Sequence, residues 1–324
     1  MSTEIVTVDI GGTHARFALA TLDGHGAIDL GDPVTLHTSD HASFQTAWED
    51  FVARQGGIKP RHCAIAIAGP VGGEVIRFTN NPWVIRPALI PDKLGVEAYT
   101  LINDFGAVGH AVACAGPDEF THLCGPEIDL PVNGTISVVG PGTGLGVAHV
   151  WRGDAGYRVQ ATEGGHVDFA PVDSIEDAIL VRLRQRYRRV SAERVVSGPG
   201  LVDIHEALAQ MEGRAIQPRD DRTLWALGTS GDDSLAAAAV DRLCLSLGSF
   251  AGDMALAQGA SGVVIAGGLG LRIKDTLLRS GFANRFTAKG RFAELMATIP
   301  VKLITHPQPG LFGAAAAFAK EHLS

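Results

Sequence analysis

Short apolar runs alternate with segments of helical periodicity along most of the chain. The runs at 63–68 and 261–266 are continuous and apolar, as buried strands are, and each stops at a glycine. Phe44, Trp48 and Phe51 instead recur at the spacing of one helix face. This alternation of strands and helices predicts the α/β class.

Two apolar strand pairs are each joined by a turn of glycine and threonine. Gly11-Gly12-Thr13 follows the run 4–10, and Gly142-Thr143-Gly144 follows the run 136–141, about 130 residues later. Glycine lets a ligand approach bare N–H groups, and concave runs of N–H hold phosphate oxygens. The repeat predicts two related halves that each bring a phosphate-facing turn to a shared cleft. An ordinary hairpin turn has the same composition, and a Walker loop is excluded because Gly-Lys-Ser/Thr is absent.

A third feature is the apolar strand that ends at Asn103 and Asp104. The small and apolar residues 106–115 that follow predict a buried helix, which puts this pair in a strand-to-helix corner. Ligands collect at the carboxyl ends of strands in open α/β sheets. The alternative is that Asp104 simply caps the helix.

Glu163-Gly164-Gly165-His166 places two glycines between a carboxylate and an imidazole. We expect a tight bend that turns both polar groups to one side. A metal site would need a third ligand at recognisable spacing, and none follows. A structural histidine beside a loop glutamate is the competing interpretation, and Glu193 is either a ligand group or a surface charge.

Several further elements follow from periodicity and capping signals. Ser174 begins a capping box, 217–233 is polar and turn-rich, and 235–257 predicts a long buried helix with a break near Gly248 as an open alternative. Gly267 and Gly268 lie between a strand and a helix at 271–278, a corner that suits either a nucleotide or close helix packing.

Composition limits the classes of function. A chain of 324 residues suggests two domains or one elaborated unit, and a net charge of -8 argues against nucleic-acid or anionic-membrane partners. The four cysteines show no CxxC spacing, which favours reduced thiols. We expect a cytoplasmic protein, because no secretory leader and no run of membrane-spanning length are evident.

Seven segments, taken in order, resemble one family. They are highly specific together and span Asp9 to Phe318. They read DIGGTHARFALA, LINDFGAVGHA, VVGPGTGLGVAHV, EGGHVDFAP, SAERVVSGPGL, VVIAGGLGLR and PGLFGAAAAF. The pattern resembles the bacterial glucokinases of the hexokinase and actin-like ATPase superfamily.

The resemblance implies a fold of two actin-like ATPase (ribonuclease H-like) α/β domains around a cleft. The smaller domain would comprise 1–113 plus 305–324, and the larger one 114–304. Crossings of the chain near Asp104 and Thr305 would form a hinge whose closure excludes water. A homodimer is also implied.

The implied reaction is phosphorylation of D-glucose at the 6-hydroxyl by ATP, the first step of glucose catabolism. Asp104 would be the general base, and Asp9 would orient Mg²⁺ through water. The implied glucose ligands are Asn103, Asp104, Glu163, His166 and Glu193. The implied nucleotide site comprises Val8, Asp9, Ile10, Gly11, Gly12, Thr13, Gly142, Thr143, Gly144, Gly267 and Gly268.

Other functions stay open at this point. They are a hexose kinase of broader specificity, a sugar kinase of the repressor/ORF/kinase family, and a sugar sensor on the same fold. The repressor-family reading is disfavoured because the cysteines are scattered, and the sensor reading because Asp104 is present and eight residues precede Asp9. His14 stands where many glucokinases have asparagine, and nucleotide affinity becomes pH-sensitive if its side chain reaches a phosphate.

Overall fold

The computed structural model describes residues 2–23, 26–58, 60–78 and 81–323. Its strands are β1 Thr3–Ile10, β2 His14–Leu22, β3 Ile28–Leu30, β4 Val34–His37, β5 His62–Ile67, β6 Ile76–Arg77, β7 Val84–Ile85, β8 Ala98–Asn103, β9 Phe120–Cys124, β10 Gly134–Pro141, β11 Leu145–Gly153, β12 Gly156–Thr162, β13 Ala260–Ile265 and β14 Val301–Ile304. Its helices are α1 Phe44–Arg54, α2 Ile90–Leu94, α3 Asp104–Cys114, α4 Ser174–Arg186, α5 Gly198–Met211, α6 Asp221–Ser230, α7 Ser234–Gln258, α8 Gly267–Arg272, α9 Lys274–Arg279, α10 Phe282–Thr287, α11 Ala293–Ala297 and α12 Pro309–His322. The mixture of strands and helices is that of an α/β protein.

The chain forms two compact units, Met1–Ala115 with His306–Ser324, and Gly116–Thr305. The expected boundaries lay one or two residues earlier in each case. In the first unit the strand order is β3-β2-β1-β5-β8, and β4 pairs with β2. One face of this sheet packs on α1 through Phe17 and Phe51, and the other carries Ala64 against Phe318 of α12.

The second unit repeats this topology. Its sheet runs β12-β11-β10-β13-β14-β9, and its first five strands have the same order and directions as those of the first sheet. In both, an antiparallel hairpin is followed by parallel strands on its other side. The repeated topology agrees with the two related halves that the repeated glycine turns predict.

Helix α7 is the central helix of the second unit, and it runs unbroken for 25 residues. Gly248 does not interrupt it. A Cβ at this position would overlap the Phe282 carbonyl oxygen, so glycine is required by close packing. By length and composition α7 could cross a membrane, so the expectation that no run reaches that length is wrong. In the structure 72% of the apolar 18-residue stretch of α7 is buried, as is typical of the core helix of a folded unit.

Three local expectations differ from the structure. The polar stretch 217–233 contains helix α6, capped by the side chain of Asp220. The predicted helix 271–278 is divided into α8 and α9. The cap of α4 is Asp173 rather than Ser174. Glu176, the third residue of the helix, is fully buried, and its carboxylate accepts hydrogen bonds from Val172 N–H and the Ser246 hydroxyl.

Close packing between α3 and α12 generates a stability prediction. A Cβ at Gly313 would overlap the Ala107 carbonyl oxygen, so we expect Gly313→Ala to lower the free energy of unfolding by about 1–3 kcal/mol. The overlap is with backbone atoms, which cannot move aside as a flexible side chain can, so we expect a net loss despite the gain of about 1 kcal/mol in helix propensity. Urea unfolding followed by circular dichroism measures it. Gly72→Ala, whose Cβ would have nothing within 4 Å, is the control, and equal stability of the two variants would contradict the prediction.

Candidate active site

Asn103 is the N-cap of α3. Its Oδ1 accepts hydrogen bonds from Phe105 N–H at 2.9 Å and Gly106 N–H at 3.0 Å, and its Nδ2 donates to the Gly69 carbonyl at 3.2 Å. Capping therefore uses the acceptor side of the amide. One N–H of Nδ2 remains for another acceptor.

Asp104 is the first residue of α3, directly after this cap. Its Oδ1 accepts from Phe105 N–H at 2.8 Å, so the carboxylate is held at the positive end of the helix. The alternative in which Asp104 itself caps the helix is wrong, since Asn103 does so. The parallel register aligns Ile10, Ile67 and Asn103, which puts this corner two strand spacings, about 10 Å, from the end of β1.

The β1–β2 turn presents backbone N–H groups. Gly11 N–H is used by the His14 carbonyl at 2.9 Å, and Thr38 Oγ1 donates to the Gly12 carbonyl at 3.1 Å. Within the described residues, the N–H groups of Gly12 and Thr13 have no protein partner. They are suited to an anion.

Asp9 lies just before this turn, between Arg16 and the start of α12. Arg16 Nη1 is 3.2 Å from Asp9 Oδ2, and a Cβ at Gly310 would come within 2.9 Å of that oxygen. Burial raises the pKa of the Asp9 carboxyl, and the Arg16 guanidinium opposes the shift. Neither Arg16 nor Gly310 was expected at the site, because their proximity to Asp9 depends on strand pairing and on the return of the chain at α12.

In the second unit the turn at Gly142-Thr143-Gly144 is held from three sides. Gly142 N–H donates to the Gly144 carbonyl at 2.8 Å, Gly198 N–H donates to the Gly142 carbonyl at 2.8 Å, and Leu145 N–H donates to Glu193 Oε2 at 3.0 Å. In the described part of the chain, Thr143 and Gly144 N–H have no protein partner. Two of the turn's N–H groups are thus left to bind an anion.

Gly267 and Gly268 lie beside the base of this turn. Gly267 has φ of +85°, and a Cβ there would come within 2.7 Å of the Pro141 carbonyl oxygen. Gly268 faces open space, with nothing within 4 Å of a Cβ. Gly267 is therefore required by close packing, whereas Gly268 leaves room for a ligand.

Residues 164–166 form one 3-10 turn directly after Glu163. Both glycines are dictated by packing, since a Cβ at Gly165 would overlap the Leu145 carbonyl oxygen and one at Gly164 would come within 3.0 Å of Val147. The turn places His166 between two carboxylates. Nε2 is 3.9 Å from Glu163 Oε2, and Nδ1 is 3.9 Å from Glu193 Oε1. Glu163, His166 and Glu193 are thus brought together in one unit, whereas Asn103 and Asp104 belong to the other.

Arg189 is a residue that the sequence analysis does not single out. It lies beyond the end of α4. Its Nη2 donates to the His166 carbonyl at 2.8 Å, and its Nε is 2.7 Å from Asp168 Oδ1. Arg189 therefore holds residues 166–168 in place, on the C-terminal side of the 3-10 turn.

Potential metal ligands are dispersed over the described residues. Across the described residues, no group of three or more His, Cys, Asp or Glu could hold an ion. All four cysteines are free, and burial raises the pKa of the Cys63 and Cys244 thiols to about 12. A lone carboxylate such as Asp9 fits a Mg²⁺ that keeps its water ligands and is held mainly by substrate phosphates.

Comparison with known proteins identifies the family. The family model described as Glucokinase matches residues 6–321. A glucokinase of Zymomonas mobilis subsp. mobilis is 57% identical over 319 residues, which are 98% of each chain. A crystal structure of a glucokinase from an Antarctic psychrotroph has a TM-score of 0.85 at 33% identity and covers 98% of this chain and 99% of that one.

A more distant structure shares the fold. A ROK family glucokinase from Streptomyces griseus, solved in complex with glucose and AMPPNP, has a TM-score of 0.62 at 17% identity and covers 98% of this chain and 99% of that one. The family resemblance carried by the seven segments is confirmed by the family model and by the close relative. This chain belongs to the glucokinase family.

Proposed function

We propose that the protein transfers the γ-phosphoryl group of ATP to the 6-hydroxyl of D-glucose, with Asp104 as general base. The observation that carries this proposal is membership of the glucokinase family over residues 6–321. The chemistry of the candidate site supports it, because each unit presents polar side chains suited to sugar hydroxyls and a glycine turn suited to phosphate.

The sugar would be recognised by a mixed set of donors and acceptors. Glu163 and Glu193 accept hydrogen bonds, and His166 between them can donate or accept. Asn103 has one side-chain N–H left to donate. A sugar that lacks one hydroxyl would cover one of these polar groups without pairing it, at a cost of about 1–3 kcal/mol. Selection among hexoses follows from this set.

Asp104 would accept the proton of the 6-hydroxyl while the sugar oxygen attacks the γ-phosphorus. The new bond joins that oxygen to phosphorus, the bond to the bridging β–γ oxygen breaks, and ADP leaves with the electron pair. The hydrogen bond from Phe105 N–H fixes one carboxylate oxygen in place. A positioned base of this kind contributes about 10²–10⁴ in rate.

The nucleotide phosphates would bind the two glycine turns. Gly12, Thr13, Thr143 and Gly144 offer N–H groups, and Val8 to Ile10 align the first turn. Asp9 would hold Mg²⁺ through water, and the ion when bound would neutralise phosphate charge. Gly267 and Gly268 would lie beside the adenosine. Two actin-like ATPase domains, hinge closure over the substrates, a homodimer and a cytoplasmic location are parts of the same proposal.

The base assignment is tested with Asp104→Asn. We expect kcat to fall by about 10²–10⁴ with little change in glucose KM, because the amide keeps the shape but cannot take the proton. ADP release with Mg-ATP and glucose measures it. Glu97→Gln, which removes an exposed carboxylate paired with Arg61 in the same unit, should retain full activity.

Two outcomes would overturn the proposal. A folded wild-type protein that binds glucose without turnover would be a sugar sensor. Turnover that survives in Asp104→Asn would place the base elsewhere. Mannose, fructose and a reaction without sugar, run in parallel, separate a glucokinase from a hexose kinase of broad specificity.

His14 makes nucleotide binding pH-dependent if its side chain reaches a phosphate. Burial, His37 and Arg16 all lower its pKa, so the ring is neutral at pH 7 and gains charge only as pH falls below its usual range. Once protonated, Nδ1 must donate to Thr13 Oγ1, now 2.9 Å away, which frees the hydroxyl proton for a phosphate. We therefore expect nucleotide affinity to rise on going from about pH 7.5 to about pH 5.5 in the wild type relative to His14→Asn. Calorimetric titration measures it, and equal pH dependence in both proteins would contradict the role of His14.

A further inference from the structure

The carboxylate of Glu193 faces two different groups. Oε1 is 3.9 Å from His166 Nδ1, in the set proposed to bind the sugar, and Oε2 accepts from Leu145 N–H at 3.0 Å, at the end of the phosphate-facing turn. The side chain is 27% exposed, so its charge is only partly screened by water. Glu193 thus contacts both parts of the site in this unit.

The turn is built around this carboxylate. A Cβ at Gly144 would come within 2.5 Å of Glu193 Oε2, so glycine at this position makes room for it. Leu145, whose N–H is bound by Glu193, also packs its carbonyl against Gly165 of the sugar-binding turn. The backbone of one residue, Leu145, therefore contacts both turns.

We infer that Glu193 couples sugar binding to nucleotide binding by holding the 142–144 turn. The inference rests on the proposed function, in which the sugar and the phosphates occupy these two places. A sugar hydroxyl that donates to Oε1 restricts rotation of the carboxylate, so Oε2 stays on Leu145 N–H and keeps the turn in its binding geometry. Linkage makes the effect reciprocal, and a bound nucleotide favours the sugar by the same factor.

The two side-chain oxygens can be separated by mutation. Glu193→Ala removes both contacts. Glu193→Gln retains an oxygen that accepts from Leu145 N–H and changes the group that faces the sugar. Gly144→Ala retains every carboxylate in the sequence but displaces Glu193 Oε2 from the turn. Glu163→Ala, which removes a carboxylate 3.9 Å from His166 and 70% exposed, is the matched control on the sugar side.

The test measures calorimetric affinity for AMPPNP with Mg²⁺, in the absence of sugar and at saturating glucose. We expect Glu193→Ala and Gly144→Ala to weaken AMPPNP binding without sugar on the order of tenfold and to reduce the enhancement by glucose. Glu193→Gln should restore AMPPNP affinity while glucose binds more weakly. Glu163→Ala should weaken glucose alone.

Two results would overturn the coupling role. The first is wild-type AMPPNP affinity in both Glu193→Ala and Gly144→Ala. The second is an equal loss of AMPPNP affinity in Glu163→Ala, which would indicate a general effect of the sugar-side substitution. Either result in a protein that still phosphorylates glucose removes the coupling and leaves the proposed function intact. A wild type that neither binds nor phosphorylates glucose would instead overturn the proposed function.

Discussion

The geometry of the candidate site in the second unit depends on the backbone of Leu145. Its N–H is fixed by the Glu193 carboxylate, and its carbonyl is packed so tightly against Gly165 that no side chain fits there. The end of the β10–β11 turn and the position of His166 are therefore set by neighbouring atoms of one residue. A shift of the strand by a fraction of an ångström would move both.

In the first unit, a candidate carboxylate is positioned by the N-terminus of a helix. Asn103 takes over the capping of α3, which leaves the adjacent Asp104 beside N–H groups that stabilise its charge. At the neighbouring turn, Asp9 is confined between Arg16 and the glycine at the start of α12. An amide thus caps the helix next to Asp104, and a glycine makes room for the carboxylate of Asp9.

Local patterns in the sequence predicted the elements with strong periodicity or clear turns. Both glycine hairpins and the long helix α7 are confirmed. The cap at Asp173 was not predicted, because Ser174 with Asp177 matches the capping pattern as well, whereas the burial of Glu176 depends on the distant Ser246. A break of the long helix at Gly248 stayed an alternative, because the Phe282 backbone that packs there is distant in the chain. Helix α6 was missed since its polar, exposed surface resembles a loop. Candidate residues came from motif resemblance, whereas the contacts of Leu145, Arg16 and Arg189 required the fold.

The position of α12 has a consequence for synthesis on the ribosome. Ala314, Ala315 and Phe318 of this helix cover a face of the first sheet that Ile5 and Ala64 line from the opposite end of the sequence. While the chain is being made, that apolar face stays uncovered as residues 116–305 emerge and can assemble around their own core. The unit whose strands are translated first is thus the last to be completed, and one apolar face of its sheet is open to non-native association until α12 is made.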